Sequence, residues 1–482
     1  MGTTTTVVAQ MGANGQSLIV PSWLDGQPYT HSAFWFDGLG GRTPVLVGIE
    51  ARRLAGLNAG AFVEYKRFLG TSFKFILRRQ SFTPEFLSST MLNLCLLNLP
   101  GRDQLLVLTI TVPANFANRA RMETLKAARD AAGARVDIRM IDEPTAVALY
   151  YASAFPQLPK GCYLVFDFGG GTLDVSAVDL DGRAVAVKSS VGEPALGGAD
   201  FDKELLKMLQ EHFYSKTKYV LSQSASGLDF DKLEALKEQL CKGEDISVKL
   251  KRQAGRAVEI KLSSRDYLER TQPLVDKALG CAQRAISEAK LLRGDIKGVL
   301  LAGGSSSIPS IQLALKKMFN RVPLAENPRQ VVALGAAVYS AYCAGTVPEV
   351  NPTIRLALDG MNFKDVSPHC IGATVVDEDG KKFNQIIIKK GEPRPVSRTV
   401  THYLKEGGAT SAGCDVTQSI LPLRNLPDNR IKTIFEGDMN LGPGTKFDDP
   451  IHVTFSYDTN GVFKGVFYYP RNSRTVEFFA EM

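Results

Sequence analysis

Two glycine-rich turns, each directly after a strand-like apolar run, constrain this chain more than any other feature. Tyr163–Asp167 leads into Phe168-Gly169-Gly170-Gly171-Thr172-Leu173-Asp174, and Val299–Ala302 leads into Gly303-Gly304-Ser305-Ser306-Ser307. Glycine lets a backbone turn sharply and brings N–H groups close to an anion. Asp167, at a strand end, suits a Mg2+ ion held through its water shell. Thr172 offers a hydroxyl to a phosphate or a water. One Gly-Gly-Gly-Thr alone is more often a plain turn than a phosphate site. Two such turns, far apart in sequence, predict two lobes facing one nucleotide.

The first two-thirds of the chain alternates strand-like and helix-like runs. Leu105–Pro113 reads as a buried strand, and Arg119–Gly133 as a helix stopped by glycine. Phe201–Phe213 and Asp229–Cys241 read as amphipathic helices. This is α/β grammar. It changes after Tyr342, where Ala344–Pro352 is rich in Gly, Pro and small residues and reads as a linker. Beyond it, Ile451, Val453, Phe455 and Tyr457 alternate with His452, Thr454 and Ser456, as in a half-buried strand. Asp458-Thr459-Asn460-Gly461 then predicts a hairpin turn, with Val462–Tyr469 returning. With 482 residues the chain exceeds one ordinary core, so an α/β unit followed by a small antiparallel β domain is expected.

Composition narrows the function. Lys+Arg is 57 against 50 Asp+Glu, a net +7 without a dense basic patch, which argues against nucleic-acid binding. No apolar run is long enough to cross a bilayer. The first residues lack the basic-then-apolar pattern of a signal peptide. Cys95, Cys162, Cys241, Cys281, Cys343, Cys370 and Cys414 are scattered and never form a CxxC pair. They read as reduced thiols in a cytoplasmic protein, not as a zinc site or disulfide frame.

An ordered series of segments resembles the seventy-kilodalton heat-shock chaperones, the DnaK type. Gly2-Thr3-Thr4 resembles the end of that family's first phosphate loop, and Lys66 falls in a match to its K-R-x-x-G segment. Val112-Pro113-Ala114 resembles VPA, Glu143-Pro144-Thr145 resembles NEPT, and Asp167–Asp174 resembles the second phosphate loop. Gly197-Gly198-Ala199-Asp200-Phe201-Asp202 resembles GGEDFD, and Gly303-Gly304-Ser305 the adenosine loop. Gly335-Ala336-Ala337 resembles the glycine-started helix near the domain end. Asp365-Val366-Ser367-Pro368 and Ile451–Gly461 resemble segments of the family's β-sandwich.

The resemblance implies an actin-like, two-lobed ATPase domain of ribonuclease H-like repeats over 1–345. A linker over 346–364 and an antiparallel β-sandwich over 365–482, holding extended apolar peptide, follow. It implies ATP or ADP with Mg2+ as cofactors and slow hydrolysis. Lys66, Glu143, Asp167 and Thr172 take the catalytic roles, and Asp167 the metal. The nucleotide contacts are Gly2, Thr3, Thr4, Gly169, Gly170, Gly171, Thr172, Gly197, Gly198, Glu234, Lys237, Gly303, Gly304 and Ser305. Arg139 and Asp365 match positions that meet a J-domain co-chaperone.

Four departures stand out. The family's first strand, with its aspartate, has no counterpart before Gly2, and a start codon assigned too late accounts for this. Glu238 and Ser307 stand where the family stacks arginines on adenine, so weaker nucleotide binding is expected. Leu358–Lys364 replaces a leucine-rich linker, so poor docking and weak coupling between domains are expected. The helical lid has no counterpart, because the chain stops soon after the last strand. The alternative to a divergent chaperone is a pseudo-ATPase scaffold that keeps the fold without turnover.

Overall fold

A computed structural model describes every residue except 13–14, 40, 56, 156, 182–183, 222–227, 252–256, 345–361, 365, 368, 420 and 480–482. Near the N-terminus, Thr5–Thr6 pairs with Thr30–His31, and β1 (Val8–Met11) pairs with β2 (Ser17–Val20), both antiparallel. Helix α1 (Pro84–Leu97) begins where the Thr83 hydroxyl accepts the Phe86 N–H at 3.1 Å, with Pro84 in its first turn. Strands β3 (Val107–Val112) and β4 (Asp137–Asp142) lie parallel, joined through α2 (Asn118–Ala132). Helix α3 (Glu143–Ala154) leaves β4 without a loop.

Strands β5 (Gly161–Phe168), β6 (Leu173–Leu180) and β7 (Ala184–Glu193) form an antiparallel meander. Helices α4 (Gly198–Thr217), α5 (Phe230–Cys241) and α6 (Ser264–Glu288) follow. Strand β8 (Ile296–Ala302) then pairs in parallel with β5. Helix α7 (Val331–Cys343) packs on α3, β1 and β3. Alternation along β5 feeds two cores. Leu164, Phe166 and Phe168 join the cluster made with α4–α6, while Tyr163 and Val165 join the one made with α3. A strand buried on both faces reads as a continuous apolar run, as Tyr163–Phe166 does.

Strand β9 (Asn362–Lys364) pairs in parallel with Ala184–Ala186 of β7, giving the sheet order β8–β5–β6–β7–β9. This corrects the expectation of a segment too polar to dock. Main-chain pairing, which does not depend on leucine side chains, seats it. The preceding linker residues and Asp365 lie outside the described residues.

Further strands include β10 (Cys370–Val376), β11 (Lys382–Ile388), β12 (Val396–Tyr403), β13 (Val416–Ser419), β14 (Ile431–Phe435), β15 (Pro450–Tyr457), β16 (Phe463–Tyr469) and β17 (Arg474–Phe479). They make two four-stranded antiparallel sheets, β11–β10–β13–β14 and β12–β15–β16–β17. Ile371, Ile388 and Val416 from one share a core with Val453, Phe455, Phe463 and Phe467 from the other.

This β-rich part rests on α2, β4 and α6. The Asn118 amide donates to the Phe463 carbonyl at 3.2 Å and its oxygen accepts the Phe463 N–H at 2.6 Å. The Met140 N–H donates to Asn460 Oδ1 at 3.0 Å, and Lys390 pairs with Glu288 at 2.7 Å. All seven cysteines are free and none is fully exposed. Among the described residues no helix is long and apolar enough to cross a membrane.

Candidate functional site

Lys66 comes from a short 3-10 turn, Tyr65–Phe68, and Glu143 from the first turn of α3. Their side chains meet at 2.9 Å, both nearly buried. Asp167 stands at the end of β5 and Asp174 at the start of β6, opposite each other in register. The turn between them closes through the Gly169 N–H, which donates to the Thr172 carbonyl at 3.0 Å. Burial first, then Glu143 and Asp174, hold the Asp167 carboxyl well above its ordinary range, with Lys66 opposing. Asp174 is pushed up to about 7 by burial and Glu143, against Lys66 and the Asn115 amide. Three carboxyls thus crowd one ammonium.

Two further loops face this cluster. Thr3 and Thr4 lie against Gly171 and Gly170. The Gly169 and Gly170 carbonyls accept the Gly198 and Ala199 N–H groups at 3.1 and 2.8 Å, which brings the start of α4 and Gly197 onto the same turn. Gly303 follows β8 at φ +76, where a β-carbon would fall 2.3 Å from the Phe168 carbonyl oxygen. Only glycine fits there. Ser305 lies against Gly198, and Gly304 against Arg329. One cavity of about 860 Å3 is lined by Gly2, Thr3, Thr4, Lys66, Glu143, Asp167, Gly169, Gly170, Thr172 and Gly198. Glu234, Lys237, Gly303, Gly304 and Ser305 also line it. Gly171 and Gly197 sit immediately behind that lining. Arg139 stands apart, paired with Asp137 at 2.7 Å near the surface.

Glu234 and Lys237 both project from α5. Lys237 pairs with Asp202 at 2.9 Å, and Glu234 with Arg52 at 2.6 Å. Burial works against the Glu234 charge, yet Arg52 and Lys237 hold its carboxyl below the ordinary range. Arg329 was not singled out from the sequence. Its guanidinium lies 3.6 Å from Glu234, 3.7 Å from Glu238 and 5.7 Å from the Tyr29 ring centre. Glu238 and Ser307 stand in place of the two arginines of the resemblance, but this end of the cleft still has a guanidinium. Arg329 supplies one from the segment just before α7. Only the Asn-Pro-Arg start of that helix signalled it. Arg329→Ala is expected to weaken adenine-nucleotide binding about 2- to 30-fold, the range of one cation–π contact. Titration with a fluorescent adenine nucleotide checks this.

The arrangement fits a magnesium polyphosphate. Glu143 and Asp167 both line the cavity, and carboxyl oxygens there suit a Mg2+ ion held through its waters. The glycine turns bring backbone within reach of an anion.

A mixed α/β protein with a carboxylate-rich, glycine-walled cleft and an attached β-rich part is thus a nucleotide-handling class of protein. A family model described as Hsp70 protein matches residues 101–466, well over half of the chain, and the chain belongs to that family. Membership places it among ATP-binding chaperones. The match begins after Lys66 and the Gly2–Thr4 turn.

Proposed function

We propose that the chain binds ATP with Mg2+ between the two lobes of an actin-like unit and hydrolyses it slowly. Under this reading the β-rich part is a sandwich that holds extended apolar peptide segments. The observation that carries the reading is the buried Lys66–Glu143 pair, set between facing glycine turns and beside Asp167. Mg2+, when bound, supplies positive charge against the phosphates. Asp167 would hold it through water. Lys66, fixed by Glu143, offsets charge that builds on the transferring phosphoryl group. Glu143 orients the attacking water, and Thr172 donates its hydroxyl toward phosphate or water. The Gly2–Thr4, Gly169–Thr172 and Gly303–Ser305 backbones grip the phosphates and ribose.

Strand β12 lies at the edge of its sheet, and an edge strand can pair with an extended peptide. The pairing of β9 beside β7 supports a state in which the two parts are docked. A J-domain partner would meet the Arg139 surface.

The test is calorimetric titration with Mg-ATP followed by single-turnover hydrolysis. Asp167→Ala is expected to weaken Mg-ATP binding about tenfold or more, roughly 1.4 kcal/mol. Unchanged affinity would remove Asp167 from the site. Tight binding with no turnover would make the chain a scaffold.

A further inference from the structure

Away from the cleft, a short hairpin pairs Phe75–Leu77 with Gln80–Phe82 and leads directly into α1. Phe82 is fully buried, and Phe75 and Leu77 pack against the same aromatic core. Alternation therefore turns Ile76 and Ser81, which face each other in register, outward. Both are exposed, and the Ser81 hydroxyl makes no hydrogen bond among the described residues. Four exposed cations lie on or beside this hairpin. Lys74 precedes its first strand, and Arg78 and Arg79 form its two-residue turn. Arg42 reaches over from a distant segment, its guanidinium donating to the Ser81 carbonyl at 3.1 Å. None of the four forms an ion pair among the described residues. Asp37, Glu64 and Glu85, the carboxylates nearest in sequence, are engaged by the Leu39 N–H, Arg67 and Lys126. Two-residue hairpin turns favour Asn-Gly or Asp-Gly. Arginines stand here instead, with Arg78 left-handed at φ +55 and donating to the Gly38 carbonyl at 2.9 Å. The turn thus keeps two guanidiniums at a conformational cost.

We propose that Ser81 is a phosphorylation site for an arginine-directed serine kinase, and that Arg42 holds the resulting phosphate. Arg78-Arg79-Gln80-Ser81 sets two guanidiniums just ahead of an exposed hydroxyl, a charge pattern that an acidic kinase cleft selects. In the step, Ser81 Oγ attacks the γ-phosphorus of ATP bound to the kinase. The new O–P bond forms as the bond to ADP breaks, and the hydroxyl proton passes to the kinase's catalytic aspartate. The product carries up to about two negative charges and three acceptor oxygens. Arg42 already touches the Ser81 carbonyl, so a phosphate on the same residue comes within reach of its guanidinium. Such charge-assisted hydrogen bonds are among the strong ones. Arg42 also lies over Phe86 of α1, 4.6 Å from the ring centre. The phosphate would therefore tie the hairpin, the start of α1 and the Arg42 segment together.

The test treats the full chain with Mg-ATP and a purified arginine-directed kinase that phosphorylates Ser81 in a free peptide of residues 76–84. Sites are mapped by mass spectrometry, which separates the result from any ATP binding or turnover by the chain itself. Ser81 should be the main site, and Ser81→Ala should lower total incorporation about tenfold or more. Arg78→Gln combined with Arg79→Gln should slow it to a similar degree. Phosphorus NMR then follows the phosphate. In the peptide it should titrate near pH ~6. In the folded chain the cations favour the dianion, so it should titrate about one unit lower and return toward the peptide value in Arg42→Ala. Phosphorylation of the peptide but not of the folded chain overturns the proposal, as does incorporation at Thr71 or Ser72 with Ser81 untouched. A phosphate that titrates alike in chain and peptide overturns the role given to Arg42.

Discussion

Asp142→Ala is expected to separate the β-rich part from the α/β part, whereas Arg394→Met should leave them docked. Asp142 ends β4 and caps α3, but its carboxylate makes no cap hydrogen bond. One oxygen accepts from Arg121 at 2.7 Å and the other from Arg394, with all three side chains almost fully buried. Two guanidiniums therefore share one carboxylate. Removing the anion strands two buried cations, and breaking such a group costs about 3–5 kcal/mol. Replacing Arg394 by a flexible apolar chain refills the space and leaves Arg121 and Asp142 to neutralise each other, so no charge is left uncompensated and the cost should be much smaller. Exchange at the Met140 amide, which donates to Asn460 across the contact, reports docking directly. Fast exchange in Arg394→Met and slow exchange in Asp142→Ala would reverse the assignment. Because Glu143 is the next residue, the same helix start meets both the β-rich part and Lys66.

The second large effect is expected at Gly335→Ala. Helix α7 crosses α3 so closely that a β-carbon at 335 would fall 1.9 Å from the Ala146 carbonyl oxygen. Overpacking against movable side chains costs about 1–3 kcal/mol. Here the obstacle is backbone within a helix, so the cost should reach or pass the top of that range. Gly294, with open space around it, provides a control that should be neutral or slightly stabilising as Gly294→Ala. Chemical denaturation of both variants measures the difference. Equal stability would mean that α3 and α7 separate without penalty.

Local chemistry made much of this legible in the sequence. The glycine turns after Phe166 and Leu301, the Glu143-Pro144-Thr145 helix start and the Ile451–Tyr469 hairpin each carry their signal within a few residues. The residues brought into one cavity from Gly2 to Ser305 could be named because each sits in such a segment. What stayed hidden depends on partners far apart in sequence. Arg394 and Asp142 are 252 positions apart, and Arg329 meets Glu234 only after α5 and α7 have packed on different cores. The docking of β9 is hidden for another reason: the polarity of its side chains points away from it, while the pairing is made by main-chain groups that every residue carries.

The free cysteines have a practical consequence. Burial raises the thiol at all seven positions, to about 12 at Cys95 and Cys414 and about 11 at Cys241. The thiolate is the reactive form, so the five buried cysteines, all but Cys162 and Cys343, should resist alkylation and oxidation in the folded chain. Cys95, Cys162, Cys241, Cys281 and Cys343 belong to the α/β part, and Cys370 and Cys414 to the β-rich part. The chain therefore carries native chemical clocks in both parts. The order in which a thiol reagent reaches them would read out which part opens first, with no introduced label.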